Sequence, residues 1–124
     1  MTGGVGDQSP KTENVDVIQL TERRHSRNIL GVPIGQYRET SANYRLANGS
    51  SYGNTGKDPF MALNYVLLNV ESNRVKGVPE TIRVIVDLLP ESRGLRSAIK
   101  IRVKEHARSL GDSVKVDYID MYRD

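Results

Sequence analysis

Cysteine is absent from the 124 residues. That excludes disulfides, thiolate nucleophiles and Cys-ligated zinc or iron–sulfur centres, and leaves reducing and oxidising compartments equally open. Long apolar runs are also missing. The stretches "MALNYVLLNV" and "IRVIVDLL" fall short of the roughly 20 residues a membrane span needs, and the N-terminus has no signal-peptide pattern. The expectation is a soluble chain with no membrane partner, the cytoplasm being favoured. Histidine is scarce at two residues, and net charge is low at +3 with a pI near 9.3. A small excess of this kind matters through its distribution rather than its size.

The length fits one domain. Residues 1–14, "MTGGVGDQSPKTEN", combine Gly, Ser, Pro and charge with almost nothing apolar, so a flexible tail is expected there and a single domain over 15–124. "VDVIQL" reads as a short strand. "TERRHSRNILG" offers Thr21 as an N-cap and Gly31 as a stop, which permits a short helix. Residues 31–57 hold many Gly, Ser, Asn and Thr without a sustained period. They read as a long irregular loop, with room for a short hairpin around "NYRLANGSSY".

Asp58-Pro59 is a helix start, because Asp accepts from first-turn amides and proline at the first helical position gives up no hydrogen bond. A helix over about 59–75 then presents Phe60, Leu63, Val66, Leu67 and Val70 as one apolar stripe, and Gly77 and Pro79 end it. "TIRVIVDLL" is nearly continuously apolar and β-branched, the pattern of a central strand covered on both faces. In 92–110, Leu95, Ile99, Val103, Ala107 and Leu110 recur at helical spacing, while Ile99, Ile101 and Val103 also alternate as a strand would. The helix is favoured, with Gly111 as its C-terminal cap. "SVKVDYIDMY" alternates as a strand, and a helix at 92–110 lets it pair in parallel with the strand at 82–89. The expected fold class is α+β: a three- to four-stranded sheet packed against two main helices.

The glycine-rich "NGSSYGNTGKDPF" invites comparison with a phosphate-binding loop. Such a loop needs Gly six positions before the lysine and Ser or Thr after it. Ser51 and Asp58 stand at those positions around Lys57, and a carboxylate in place of the magnesium-binding hydroxyl repels phosphate. A turn followed by a helix cap is the better reading.

Positive charge is concentrated in two segments. One carries Arg23, Arg24, Arg27, Arg38 and Arg45; the other carries Arg93, Arg96, Lys100, Arg102, Lys104 and Arg108. On a helix, Arg96, Lys100, Lys104 and Arg108 form a stripe beside the apolar one, and on a strand the cations again oppose the apolar face. A solvated helix face is the plain interpretation. Arginine outnumbers lysine twelve to six, and guanidinium suits bidentate phosphate recognition, which favours a polyanion. The pairs Tyr37-Arg38, Tyr44-Arg45 and Tyr122-Arg123 resemble the ring-plus-cation ingredients of single-stranded nucleic-acid sites.

His25 in "RRHSR" and His106 in "KEHAR" are flanked by cations that favour the neutral base. Two histidines with cations are the minimum set for metal-independent RNA cleavage: a base for the 2′-hydroxyl, an acid for the leaving oxygen, and charge for the phosphorane. Surface histidines with no such role are the alternative. Ser26 in "RRHS" matches a basic-directed kinase pattern too short to carry weight. The C-terminal aspartates lack calcium-loop spacing, so no metal and no cofactor is expected.

The sequence therefore leads to a small basic nucleic-acid-binding domain, RNA more than duplex DNA, with metal-independent ribonuclease or toxin-type activity as a sub-hypothesis. The contacts expected are Arg23, Arg24, Arg27, Arg38, Tyr44, Arg45, Lys57, Arg96, Lys100, Arg102, Lys104 and Arg108. A non-catalytic assembly module, with its basic face against an acidic protein, is the rival.

Overall fold

The computed structural model describes residues 14–27, 30–56 and 58–122. Among them the chain forms strands β1 (Asn14–Arg27), β2 (Pro33–Arg45) and β3 (Ser51–Thr55), helix α1 (Pro59–Asn73), strand β4 (Glu80–Asp87), helix α2 (Arg93–Leu110) and strand β5 (Val114–Asp120). The fold is α+β, with one mixed five-stranded sheet in the order β3-β2-β1-β4-β5, a larger sheet than expected. β1 and β2 pair antiparallel, as do β2 and β3; β1 with β4 and β4 with β5 pair in parallel. Asn14 opens β1, and the rest of the expected tail lies outside the described residues.

Two expectations are corrected together. Residues 21–27 continue β1 as strand rather than forming a helix, and most of 31–57 is β2, a turn and β3 rather than loop, although the short hairpin expected around "NYRLANGSSY" is there as the β2–β3 turn. Neither stretch has a strand's apolar alternation. Their strand state comes from ladder partners on the neighbouring strands, from Val17↔Arg45 through His25↔Tyr37 and from Ser41↔Thr55 through Arg45↔Ser51, and such pairing overrides weak local preference. The turn between β2 and β3 closes at Leu46–Ser50, where the Leu46 amide donates to the Ser50 carbonyl at 2.8 Å. Gly49 there has φ 97°, the left-handed region that favours glycine.

The helices form where periodicity placed them. Asp58 Oδ1 accepts from the Phe60 amide at 2.7 Å, satisfying a first-turn donor. Gly111 closes α2, its amide donating to the Arg108 carbonyl at 3.3 Å. Both helices cover one face of the sheet. Ile18 and Leu20 on β1, Ala42 on β2 and Ile82, Val84 and Val86 on β4 meet Leu63, Val66, Leu67 and Val70 on α1 and Ile99 and Val103 on α2 in a single core.

No described helix covers the other face. It carries Arg23 and His25 on β1, Glu39 and Arg45 on β2, Arg83 and Asp87 on β4, and Lys115 and Asp117 on β5. β4 is therefore covered by helices on one side only, contrary to the expectation for its apolar run: on the other, Thr81 is buried but Arg83, Ile85 and Asp87 remain half-exposed.

Candidate functional site

Parallel strands β1, β4 and β5 bring their carboxyl ends to one pole, the place where open α/β sheets present ligand-binding crevices. The pole is organised by a buried carboxylate. Glu22, its side chain only 5% exposed, accepts from the Leu89 amide at 2.9 Å and the Ser92 hydroxyl at 2.7 Å. Arg38 Nη1 lies 3.6 Å from the other Glu22 oxygen and donates to Ser92 Oγ at 3.3 Å. Ser92, the N-cap residue of α2, is thus drawn towards Glu22 and makes no side-chain cap hydrogen bond. Arg24 pairs with Glu91 on the rim. Glu91 is held below the usual carboxylate range by its own backbone amide and by Arg24.

Beside this network is a cleft of about 360 Å³ lined by Arg93, Arg96, Ser97, Lys100, Tyr118, Asp120 and Tyr122. Arg96 is buried and donates from Nη2 to the Leu89 carbonyl at 2.7 Å. Its Nε stands 3.2 Å from Asp120 Oδ2 without an aligned hydrogen bond. The guanidinium lies over the Tyr122 ring at 5.2 Å, and Lys100 Nζ over the Tyr118 ring at 5.5 Å. Tyr118 Oη donates to the Arg96 carbonyl at 3.0 Å. Burial and then the Asp120 charge push its phenol up to about 12, so the ring stays neutral. The result is a cationic, aromatic-walled cleft whose one carboxylate is already opposed by Arg96.

The residues anticipated from sequence divide into separate groups. Arg24, Arg38, Arg96 and Lys100 gather at the pole. Lys104 and Arg108 are exposed farther along α2, while Arg102 Nε donates to Asn64 Oδ1 at 2.9 Å and ties α2 to α1. Arg23, His25 and Arg45 lie on the uncovered face, where Arg23 meets Asp87 at 3.1 Å. Arg27 ends β1, and Lys57 lies outside the described residues.

The two histidines are not brought together. His25 is on the uncovered face, its Nε2 2.9 Å from Glu39 and its ring stacked on Tyr37 with centroids 5.3 Å apart. His106 is buried on α2, on the other side of the sheet, its Nε2 without a hydrogen-bond partner among the described residues. Burial, and then Arg102, lower its pKa. One phosphodiester cannot meet both rings.

Tyr37-Arg38 and Tyr44-Arg45 are likewise split, because neighbours on a strand point to opposite faces, and Arg123 lies outside the described residues. Tyr44 packs on the helix side with Tyr52 and Tyr65, while Arg45 faces away. Tyr122 does meet a guanidinium, but it belongs to Arg96, 26 positions earlier. Sequence reasoning missed Glu22, Ser92, Tyr118 and Asp120. The alternation of "VKVDYID" was the one signal that put Tyr118 and Asp120 on the same side as Val114 and Val116.

Among the described residues no group of three or more His, Cys, Asp and Glu is placed to hold a metal ion, and no helix is long and apolar enough to cross a membrane. No family model matches the chain, and no curated protein matches its sequence.

Proposed function

We propose that this α+β domain is a binding module for single-stranded RNA, with the cleft at the carboxyl ends of β4 and β5 as its anchor. The observation that carries the reading is the joint lining of that cleft by Arg93, Arg96 and Lys100 and by the rings of Tyr118 and Tyr122. Cations attract phosphate, and tyrosine faces accept unstacked bases without regard to sequence. Lys100, Lys104 and Arg108 continue from the cleft along the exposed side of α2 at steps of four residues, about 6 Å each. That row supplies a track for a phosphate backbone. RNA is preferred to duplex DNA because the module offers a cleft with rings rather than a free helix to insert into a major groove. Cleavage is left out of the proposal, since His25 and His106 face opposite sides of the sheet.

Fluorescence anisotropy with a labelled single-stranded RNA, from about 50 to 200 mM salt, tests the reading. Binding should weaken with salt, and each cation removed from the track by Lys100→Glu or Lys104→Glu should reduce the log–log slope by about 0.7. Arg45→Glu, on the uncovered face, should leave the slope unchanged. RNA recovered from the same samples should be intact with or without EDTA. Absence of retention at the lowest salt sinks the proposal, and so does equal sensitivity to Arg45→Glu. Retention of an acidic protein in place of RNA would move the same cations to the rival, assembly reading.

A further inference from the structure

Helix α1 is apolar on two sides. Its inner side, Leu63, Val66, Leu67 and Val70, enters the core. Its outer side carries Met61, Tyr65 and Leu68 at helical spacing, 65%, 57% and 60% exposed. Strand β3 runs beside it and adds Tyr52, 46% exposed.

Between them is a slot of about 250 Å³ lined by Ala42, Tyr44, Tyr52, Asn54, Met61, Ala62 and Tyr65. Two alanines leave the floor deep. The Tyr44 ring stands 5.8 Å from Tyr52 and 6.1 Å from Tyr65, so the three rings are already ordered around the opening. Asn54 holds Tyr52 in place by donating to its hydroxyl at 2.7 Å. Among the described residues the outer edge of β3 pairs with no strand.

The two edges of the sheet differ in their protection. β5 carries Lys115, Asp117 and Asp120, the kind of charge that discourages edge-to-edge pairing. β3, "SYGNT", carries none, and neither does α1 from Pro59 to Val70. This is an apolar, uncharged face next to an open strand edge.

We infer that the β3 edge and the outer side of α1 form a self-association surface whose occupant is a second copy of this chain. Charge selects that occupant. A nucleic-acid backbone finds no cation in the slot lining, and a charged peptide finds no counter-charge. A chain with net charge +3 repels its copy least where both surfaces carry no charge. Antiparallel pairing of two β3 edges is two-fold symmetric, which gives a closed dimer rather than a fibre. That arrangement brings the protruding Met61, Tyr65 and Leu68 of each copy to the tyrosine slot of the other. Tyr52 and Tyr65, each about half exposed, still offer roughly half of the 150–250 Å² that a wholly buried aromatic side chain contributes. With Met61, Leu68 and the paired β3 edges they supply part of the ~800 Å² per partner found in stable interfaces.

Sedimentation equilibrium of the full chain from about 1 to 200 μM tests this, a range that brackets micromolar dissociation constants. The expected result is a monomer–dimer equilibrium that Leu68→Glu and Tyr65→Glu each weaken about tenfold or more, roughly the penalty for burying an unpaired charge at an interface. Both side chains are exposed, so the variants should melt like the parent monomer, and thermal unfolding checks that. Ile101→Glu, 58% exposed on α2, is the control and should leave the equilibrium unchanged. A monomer at every concentration overturns the inference and assigns the face to a different apolar partner. A dimer unmoved by Leu68→Glu, or moved as far by Ile101→Glu, also overturns it. So does a Tyr52→Ala variant that loses RNA affinity with no change in mass, since the slot would then be a base-stacking site.

Discussion

Asp16 and Glu80 place two carboxyl groups side by side near the amino ends of β1 and β4, both buried. Asp16 Oδ1 accepts from the Ala47 amide at 2.9 Å, but its Oδ2 is buried with no donor among the described residues. Glu80 supplies the missing proton. Burial first, and the Asp16 carboxylate next, push its pKa up to about 8, against the pull of Arg74, whose Nε is 3.8 Å away. Glu80 therefore keeps its proton near neutrality. Because the folded state binds that proton more tightly than the unfolded chain, its stabilisation is fully present below the ordinary glutamate value of 4.5 and is lost as pH rises through about 8. The melting temperature should fall between pH 5 and 9. Glu80→Gln, which keeps a donor but cannot ionise, should flatten that slope and melt above the parent at pH 9. A parent curve already flat across this window would refute the protonated Glu80. His106 acts in the opposite sense: its lowered pKa erodes stability as pH falls below 6.5.

Elements at the pole are joined by polar side chains rather than by the core. Glu22, at the carboxyl side of β1, receives hydrogen bonds from the segment between β4 and α2, so one side chain sets where α2 begins relative to the sheet. Removing it leaves the Leu89 amide and the Ser92 hydroxyl without their acceptor and Arg38 without its counter-charge. Glu22→Ala should cost about 2–3 kcal/mol in urea unfolding. It should also weaken the RNA binding proposed above by displacing Arg93 and Arg96, two positions that Lys100→Glu leaves untouched. A loss below ~0.5 kcal/mol would mean that core packing alone holds α2 in place. Ser92, bonded to Glu22 and Arg38, makes no side-chain cap on α2.

On the scale of the whole molecule, the helices cover one sheet face and charged pairs occupy the other. Arg83 and Asp117 meet at 2.8 Å with side chains 42% and 43% exposed, and a pair so accessible contributes about 0–1 kcal/mol. Double replacement by Ser should leave the urea midpoint nearly unchanged, and a large drop would show that this face is covered in the folded molecule. What could be read in advance follows from the range of the forces involved. Residues 59–73 and 93–110 carried their apolar periods within themselves, with Asp58 and Gly111 next to them as cap and stop, so both helices, their inner stripes and the parallel pairing of β4 with β5 were legible. β2 and the far half of β1 were not, since "QYRETSANYR" and "TERRHSR" become strand through each other. Candidate site residues divided in the same way. The cations of α2 were visible as a run. Their meeting with Tyr118 and Tyr122, the burial of Arg96 and the separation of His25 from His106 required the sheet to be built first. The sequence by itself determined the class of fold, the helices and the basic character of one segment, because these depend on composition and on neighbours within a few turns. Only the tertiary structure decided which side chains share a cleft, because strand pairing sets the face of each residue and joins positions tens of residues apart.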